Sequence, residues 1–262
     1  MNPAPDRIAA ALAWRADALV QRLPTPARVW LENRRNTRRV RRGHTSFDRS
    51  RLTRTYVEAI RRLLQTESRE ELGDYLEFGV YHGTSLSSMH EARRELGLDR
   101  MRLFGFDSFE GLPESAATED DGVWAPGQFR SSLELTRENL RRWGVSPDEV
   151  TLIPGWFSTS CTPETRRRHG IERASVIMVD CDLYSSSVEA LDFCEPLIRR
   201  QAVIVFDDWG AEGLDGRHLG ERRAFEEFLA RHPDLRAEEM PGLNYKDKLD
   251  PRIFHVTRSS AE

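Results

Sequence analysis

Cysteine is scarce in this chain, and the few cysteines are far apart. The three are Cys161, Cys181 and Cys194, and none belongs to a CxxC pair. An odd, scattered set of cysteines argues against a disulfide framework and against a cysteine-ligated zinc site. We therefore expect reduced thiols and a cytoplasmic protein.

Long hydrophobic runs are also missing. No stretch approaches the roughly 18 to 20 apolar residues that span a bilayer, so we expect no membrane span. The chain begins MNPAPDRIAA, without the basic segment and apolar core of a secretory signal, and we expect none. With 39% hydrophobic and 31% charged residues among 262, the composition fits a soluble protein of one domain, or one domain with an appendage.

Acidic residues are scarce only near the N-terminus. Residues 1–45 carry ten arginines and no lysine against Asp6, Asp17 and Glu32, a net +7, whereas the whole chain has a formal charge of −4, which leaves −11 for the remainder. The basic excess fits a contact with nucleic acid, an anionic membrane or the acidic body of a partner subunit, or a solvated extension. We favour the extension and expect no nucleic-acid partner, because no aromatic RNA-binding motif accompanies the arginines.

Hydrophobic periodicity predicts an α/β fold. Amphipathic helices are predicted at 7–23, which the prolines at 24–26 end, and at 51–65, with the arginine-rich stretch as a linker between them. Strands are predicted at 74–80, 101–107, 150–155, 175–180, 202–208, 235–240 and 252–258. Helices at 84–96 (capped by Thr84 or Ser85), 133–144, 162–170, 185–198 and 220–232 lie between them.

This order predicts a doubly wound, mostly parallel seven-stranded sheet whose last two strands, with no helix between them, pair antiparallel at one edge. We predict two parts, a helical, arginine-rich N-terminal extension (1–50) and a main domain (51–262). Residues 114–132 form the longest piece without periodicity. A loop of that length in a compact domain is typical of a functional lid.

Polar residues follow the first two strands. Glu77 lies in the first strand, and Gly79 and Gly83 flank a turn into a helix, an arrangement that admits a ligand close to the backbone but also occurs in ordinary βα turns. Asp107 ends the second strand, where an acidic residue commonly binds a ribose diol or caps a turn. The combination indicates a nucleoside-bearing ligand, either NAD or S-adenosylmethionine. The absence of GxGxxG disfavours NAD, and the absence of a Walker lysine disfavours ATP.

Four aspartates follow the fourth and fifth strands. Asp180 and Asp182 are two residues apart and are expected to point to the same side, while Asp207 and Asp208 end the neighbouring strand. Carboxylates at adjacent strand tips converge, and they repel one another unless a cation or a proton lies among them. An all-oxygen site suits Mg²⁺, with Mn²⁺ or Ca²⁺ as substitutes. The alternative is that one or two of them, Asp182 above all, cap the following helices.

Five blocks of sequence resemble the macrocin O-methyltransferase (TylF-like) family. They are YLEFGVYHGTS, FGFDSFEGLPE, LIPGWFSTSCTP, VDCDLYSSSVEAL and IVFDDW, they come in the family's order, and the resemblance extends over roughly residues 74–235. The resemblance implies a class I methyltransferase (Rossmann-like) fold with an antiparallel last strand. It also implies a metal-dependent enzyme that uses S-adenosylmethionine to methylate sugar hydroxyls on macrolide and aminocoumarin antibiotics.

Site roles follow from the same resemblance, block by block. Glu77, Gly79 and Ser85 match contacts to the methionine end of the cofactor, Asp107 and Ser108 match ribose contacts, and Gly155 and Trp156 match the adenine surroundings. Asp180, Asp207 and Asp208 match metal ligands, Asp180 also bordering the cofactor, and Asp182 matches the general base. The chain departs from the family's pattern at Cys181, where the family has glycine, and in a long stretch at 210–221.

These inferences predict a Mg²⁺-dependent O-methyltransferase that acts on a sugar hydroxyl of a glycosylated natural product or glycan. One alternative is a catechol or phenol acceptor, although such relatives usually end the fifth strand in DN. Another is a non-catalytic module that binds S-adenosylmethionine, against which all four aspartates argue. Trp124 and Phe129 are candidates to close over the acceptor, and the resemblance implies a homo-oligomer assembled through N-terminal helices.

Overall fold

The computed structural model describes Val20, residues 22–243 and residues 251–259. The helix predicted at 7–23 therefore lies almost wholly outside the described residues. Helices are α1 (Thr25–Arg41), α2 (Arg49–Leu63), α3 (Thr84–Glu95), α4 (Leu133–Arg142), α5 (Phe157–Ser160), α6 (Pro163–His169), α7 (Tyr184–Cys194) and α8 (Gly220–Arg231). Strands are β1 (Asp74–Phe78), β2 (Leu103–Asp107), β3 (Val150–Pro154), β4 (Ala174–Val179), β5 (Gln201–Phe206), β6 (Leu235–Glu239) and β7 (Arg252–Arg258).

Within the described residues the strands form one sheet in the order β3-β2-β1-β4-β5-β7-β6. The first five run parallel, and β7 lies antiparallel between β5 and β6. Strands β1, β4 and β5 are buried along their whole length because helices cover both faces of the sheet. The predicted fold class, a doubly wound and mostly parallel sheet with an antiparallel edge, is confirmed.

Alternate residues of the central strands divide the core into two clusters. Leu76, Ile177 and Ile204 face helices α7 and α8, whereas their neighbours Tyr75 and Val176 face helices α2 and α3. The period of two follows from the pleat of a strand, which sends successive side chains to opposite faces. The sheet is thus held from both sides, and its strand tips are the places where polar groups can gather.

The arginine-rich stretch is helix α1, so its interpretation as a linker is wrong. Pro24 takes the N-cap position with a further proline in the first turn, where a missing N–H costs nothing, and arginine is a good helix former. Val29 and Val40 are buried, and Asn33 donates a hydrogen bond to the Gly127 carbonyl at 2.7 Å. Helix α1 thus packs on the main domain, and the division of the chain at residue 50 stays a prediction.

Two segments that the sequence leaves without periodicity contain short 3₁₀ turns. The segment at 114–132 contains Glu114–Ala117 and Glu119–Gly122, and the stretch at 210–221 contains Ala211–Gly213 and Asp215–Arg217. Glu119–Gly122 and Ala211–Gly213 are kinked by residues with left-handed backbones. Such turns have only one or two hydrogen bonds each and leave no periodic hydrophobic pattern. The two segments meet where Arg217 donates to Asp121 at 2.8 Å.

Candidate active site

A cleft of about 920 Å³ opens at the carboxyl ends of β1, β2, β4 and β5. Its lining includes the turn after β1, part of segment 114–132 and the tips of β4 and β5. All the predicted site residues except Glu77 and Gly155 line it, namely Gly79, Ser85, Asp107, Ser108, Trp156, Asp180, Asp182, Asp207 and Asp208. The topology thus brings to one cleft side chains that are as many as 129 positions apart in the chain.

Gly79 begins the turn after β1 and touches the tip of β4. Its φ of +93° is one that side chains disfavour, and a Cβ built on it would lie 1.7 Å from the carbonyl oxygen of Asp180. Close approach to a ligand is the sequence-based reason for glycine here, but in the structure the close neighbour is the backbone of Asp180. Glycine at position 79 therefore lets the turn after β1 lie directly against the acidic tip of β4.

Glu77 lies behind the cleft wall, completely buried. Ser85 and Tyr75 each donate to its carboxyl group at 2.5 Å, and the Tyr75 hydroxyl lies 2.9 Å from that of Tyr56 on α2. Burial raises the pKa of Glu77 to about 8, against the lowering effect of its two hydrogen bonds. Glu77 is therefore mostly protonated at neutral pH and ties β1 to the first turn of α3.

Asp107 has a structural task besides the predicted contact with ribose. Its carboxylate accepts hydrogen bonds from the backbone N–H groups of Val80 and Tyr81, at 2.8 Å each, and from Phe109 at 2.6 Å. Burial raises its pKa despite these three donors. The side chain holds the turn after β1 in place while it still lines the cleft.

Asp180, Asp207 and Asp208 come together at the tips of β4 and β5. Each offers a carboxylate oxygen, and these oxygens all lie within 4.8 Å of one another. The strands pair in parallel, and the Asp207 N–H donates to the Val179 carbonyl at 3.0 Å, which brings the second tip beside the first. The arrangement is the all-oxygen cluster expected from the sequence.

Asp182 reaches the same cleft by a different route from the predicted one. Strand β4 ends at Val179, so strand alternation does not direct this side chain. Instead Asp182 has a φ of +65°, in the left-handed region that costs a non-glycine residue energy and often marks a functional site. The N-cap position of helix α7 is taken by Leu183, and the N–H groups of Tyr184 and Ser185 donate to Asp120 and Glu119.

Three further polar groups lie on the cleft, and they belong to His82, Thr84 and Trp124. Trp124 was expected there, whereas His82 and Thr84 are missing from the sequence-based site. His82 Nε2, Thr84 Oγ1 and Trp124 Nε1 are buried and have no hydrogen-bond partner among the described residues. Burial lowers the pKa of His82 to about 4, so its imidazole is neutral at pH 7. Thr84 is not the predicted cap, because Gly83 takes that position. The signal that could have indicated His82 and Thr84 is their place on either side of Gly83, at the start of α3.

The fold and the cleft define a class I methyltransferase architecture. A sequence model described as macrocin-O-methyltransferase (TylF) matches residues 16–232. The chain belongs to this family, which confirms the resemblance seen in the sequence.

Two curated relatives and one solved structure place the chain more closely. It is 32% identical over 151 residues to 8-demethyl-8-(2,3-dimethoxy-alpha-L-rhamnosyl)-tetracenomycin-C 4'-O-methyltransferase of Streptomyces olivaceus, covering 53% of this chain and 54% of the relative. It is 25% identical over 170 residues to mycinamicin III 3''-O-methyltransferase of Micromonospora griseorubida, covering 61% of each. The fold matches the O-methyltransferase NovP with a TM-score of 0.63 at 20% identity, over 80% of both chains.

The chain spans about 54 to 61% of the length of these curated relatives. Among the helices that the structure describes, none is long and apolar enough to cross a bilayer.

Proposed function

We propose that this chain transfers a methyl group from S-adenosylmethionine to a sugar hydroxyl of a glycosylated natural product or glycan, with a divalent cation such as Mg²⁺. The observation that carries the proposal is the cluster of Asp180, Asp207 and Asp208, with Asp182 on the same cleft as the turn after β1. A module that only binds the cofactor would have no need for this cluster.

The acidic cluster fits a hard divalent cation. Its three ligands are carboxylates, two of them buried, and carboxylate oxygen is the donor that Mg²⁺, Mn²⁺ and Ca²⁺ prefer. Carboxylates this close repel one another, and a cation among them relieves the repulsion. Asp180, Asp207 and Asp208 would hold the ion, which supplies a positive charge that lowers the pKa of a neighbouring hydroxyl.

The turn after β1 and the tip of β2 fit S-adenosylmethionine, whose sulfonium carries the methyl group to be transferred. Gly79 and Ser85 would border its methionine end, with Glu77 behind them and Asp180 beside them. Asp107 and Ser108 would accept hydrogen bonds from the ribose hydroxyls. Trp156 would flank the adenine, with Gly155 behind it, outside the cleft lining. Trp156 is 38% exposed, so its ring is available for a planar partner. The unpartnered His82 Nε2 and Thr84 Oγ1 support a polar ligand at this end of the cleft.

Asp182 would act as the general base. A sugar hydroxyl has a pKa near ~15, so it must lose its proton as it attacks, and a positioned carboxylate can take that proton. Asp182 is only 7% exposed, and its left-handed backbone brings it to the cleft. The remaining task of the site is alignment of the attacking oxygen with the methyl group and the sulfur.

The sugar acceptor is inferred from the relatives and the shape of the cleft. Both curated relatives are named as O-methyltransferases, and the name of the first gives a rhamnosyl compound as its substrate. A volume of about 920 Å³ leaves room for a glycoside beside the cofactor. Trp124 and Phe129 line the cleft, with ring centroids 5.9 Å apart, and offer apolar faces on which a sugar ring can pack.

The function is tested by incubating the protein with labelled S-adenosylmethionine and a panel of rhamnosides and other glycosides, plus catechol, with and without EDTA. We expect transfer to a glycoside that EDTA abolishes and Mg²⁺ restores. Transfer that survives chelation would remove the metal from the proposal. Transfer to catechol alone would change the acceptor class, and no transfer despite cofactor binding would favour the non-catalytic module.

Self-association through the N-terminal helices belongs to the same proposal. Trp30 on α1 is 56% exposed, and the Arg34 guanidinium stacks over its ring at 5.0 Å. An aromatic ring and arginines on one helix are typical of an interface. Light scattering after size exclusion measures the mass, and a monomer would contradict this part of the proposal.

A further inference from the structure

Helices α7 and α8 both begin without a cap of their own. Their N-cap residues are Leu183 and Leu219, whose side chains cannot accept a hydrogen bond. The two helices follow the tips of β4 and β5, so their first turns adjoin the proposed base and the proposed metal ligands. Uncapped N–H groups at these places need partners from elsewhere in the chain.

The missing caps come from segment 114–132. Asp120 Oδ2 accepts from the Tyr184 N–H at 2.8 Å, and Asp120 Oδ1 accepts from the Gly220 N–H at 2.9 Å. One carboxylate therefore joins the N-termini of both helices. Glu119 adds a second link to α7, accepting from the Ser185 N–H at 2.5 Å and from its hydroxyl at 2.9 Å.

The backbone around Asp120 is shaped for this contact. Asp120 and Asp121 both have left-handed backbones, with φ of 51° and 59°, and Asp120 is only 7% exposed. A non-glycine residue keeps this unfavourable conformation only where the contacts around it hold it in place. The two helix N-termini also attract a negative charge, because the partial positive charges of both point at the same carboxylate.

Each capped turn leads directly to a proposed catalytic or metal-binding group. Tyr184 is two residues after Asp182, so the bond from Asp120 restrains the turn that carries the base. Gly220 is followed by Glu221, whose Oε2 accepts from the Asp208 N–H at 3.0 Å. Segment 114–132 itself contributes Trp124 and Phe129 to the lining of the cleft.

We propose that Asp120, supported by Glu119, is a positioning residue. It fixes the positions of the turn that carries Asp182 and of the start of α8 relative to segment 114–132, which forms part of the cleft wall. The inference rests on the proposed function for its effect on turnover. The coupling itself is a property of the hydrogen bonds and can be measured without any methyl transfer.

The test compares Asp120→Asn with Asp121→Asn in the full chain. The two aspartates are adjacent and both have left-handed backbones, a conformation that asparagine tolerates. The exposed Asp121 carboxylate forms a surface ion pair with Arg217, whereas Asp120 is buried. The Asp120→Asn amide offers one acceptor oxygen for the two helix N-termini and turns an N–H₂ group towards the other. The exchange of hydrogen for deuterium at Tyr184, Ser185 and Gly220 should accelerate in Asp120→Asn alone.

Kinetic measurements distinguish a positioning role of Asp120 from a general loss of structure. Asp120→Asn should lower kcat about tenfold or more while the Kd for S-adenosylmethionine stays within about twofold, and Asp121→Asn should change neither. Because Asp120 acts through Asp182, the Asp120→Asn/Asp182→Asn double variant should be no slower than Asp182→Asn.

Unchanged exchange at Tyr184 and Gly220 in Asp120→Asn would overturn the proposal. So would a loss of kcat matched by an equal loss of cofactor affinity and thermal stability, since that pattern shows a merely structural role. If the wild-type chain transfers no methyl group to any acceptor, the proposed function fails, and the exchange comparison alone decides whether Asp120 couples the two turns.

Discussion

Ser85 donates a hydrogen bond of 2.5 Å to Glu77, and this buried contact joins the end of β1 to the first turn of α3. The Glu77 carboxyl has a pKa of about 8 against an ordinary 4.5, because burial disfavours its charged form. The same group that shapes the turn after β1 therefore makes the folded state sensitive to pH.

Glu77→Gln should remove that sensitivity. Below pH 4.5 the carboxyl is protonated in both states, whereas between pH 4.5 and about 8 only the unfolded chain ionises, so wild-type stability falls as the pH rises. The loss is on the order of a few kcal/mol of unfolding free energy. Glutamine resembles the protonated acid and should flatten this part of the profile, measured by thermal unfolding of the ligand-free protein. Glu110→Gln, at an exposed carboxyl, should keep the wild-type slope, and parallel profiles for all three proteins would contradict the assignment.

Asp208→Asn should weaken metal binding. Removing one of three carboxylates from the cluster takes away both a ligand and a negative charge, and the Mn²⁺ affinity should fall at least about tenfold. Calorimetric titration of Mn²⁺ into the protein measures this without an acceptor. Asp215→Asn, in the neighbouring 3₁₀ turn and outside the cluster, is the matched control. An unchanged Mn²⁺ affinity in Asp208→Asn would rule out this residue as a ligand.

Asp182→Asn should abolish turnover and leave binding intact. Asparagine cannot take a proton from the acceptor, so kcat should fall about 10²- to 10⁴-fold while the affinities for S-adenosylmethionine and Mn²⁺ hold. Asparagine also tolerates the left-handed backbone at this position. Single-turnover methyl transfer, with calorimetry for the two ligands, provides the measurement. Near-normal turnover would show that another group takes the proton.

Trp124→Ala should raise the acceptor KM about tenfold, because a large aromatic face on the cleft is lost. The KM for S-adenosylmethionine should stay unchanged, which separates acceptor binding from cofactor binding. Trp143→Ala removes a partly exposed tryptophan that is not among the residues lining the cleft and serves as the control. If both variants keep the wild-type acceptor KM, Trp124 has no part in acceptor binding.

Much of the fold could be predicted because its signal is local. Apolar strands alternating with amphipathic helices define the sheet, and parallel strands place their carboxyl ends at one edge. Asp180 and Asp207 could therefore be assigned to one place from the sequence, although 27 residues separate them. The matched family blocks then suggested a role for each.

What could not be predicted depends on contacts between distant residues or on backbone conformation. Asp120 lies 64 residues before Tyr184 and 100 before Gly220, and nothing local shows that it caps two helices. The left-handed backbone of Asp182 depends on its surroundings, and strand alternation gives the wrong reason for its direction. Helix α1 buries only Val29 and Val40, so its apolar pattern is too sparse to separate a helix from a linker.

The 1.7 Å between a notional Cβ at position 79 and the Asp180 carbonyl has a consequence for how this site can change. A single added methyl group there would act as a wedge that drives the ends of β1 and β4 apart. At this point the backbone of the turn proposed to border the methyl donor lies against the backbone of a proposed metal ligand, with no room for one more carbon atom between them. Neither half can therefore be remodelled on its own, and a redesign that enlarges the first turn must rebuild the acidic strand tip as well.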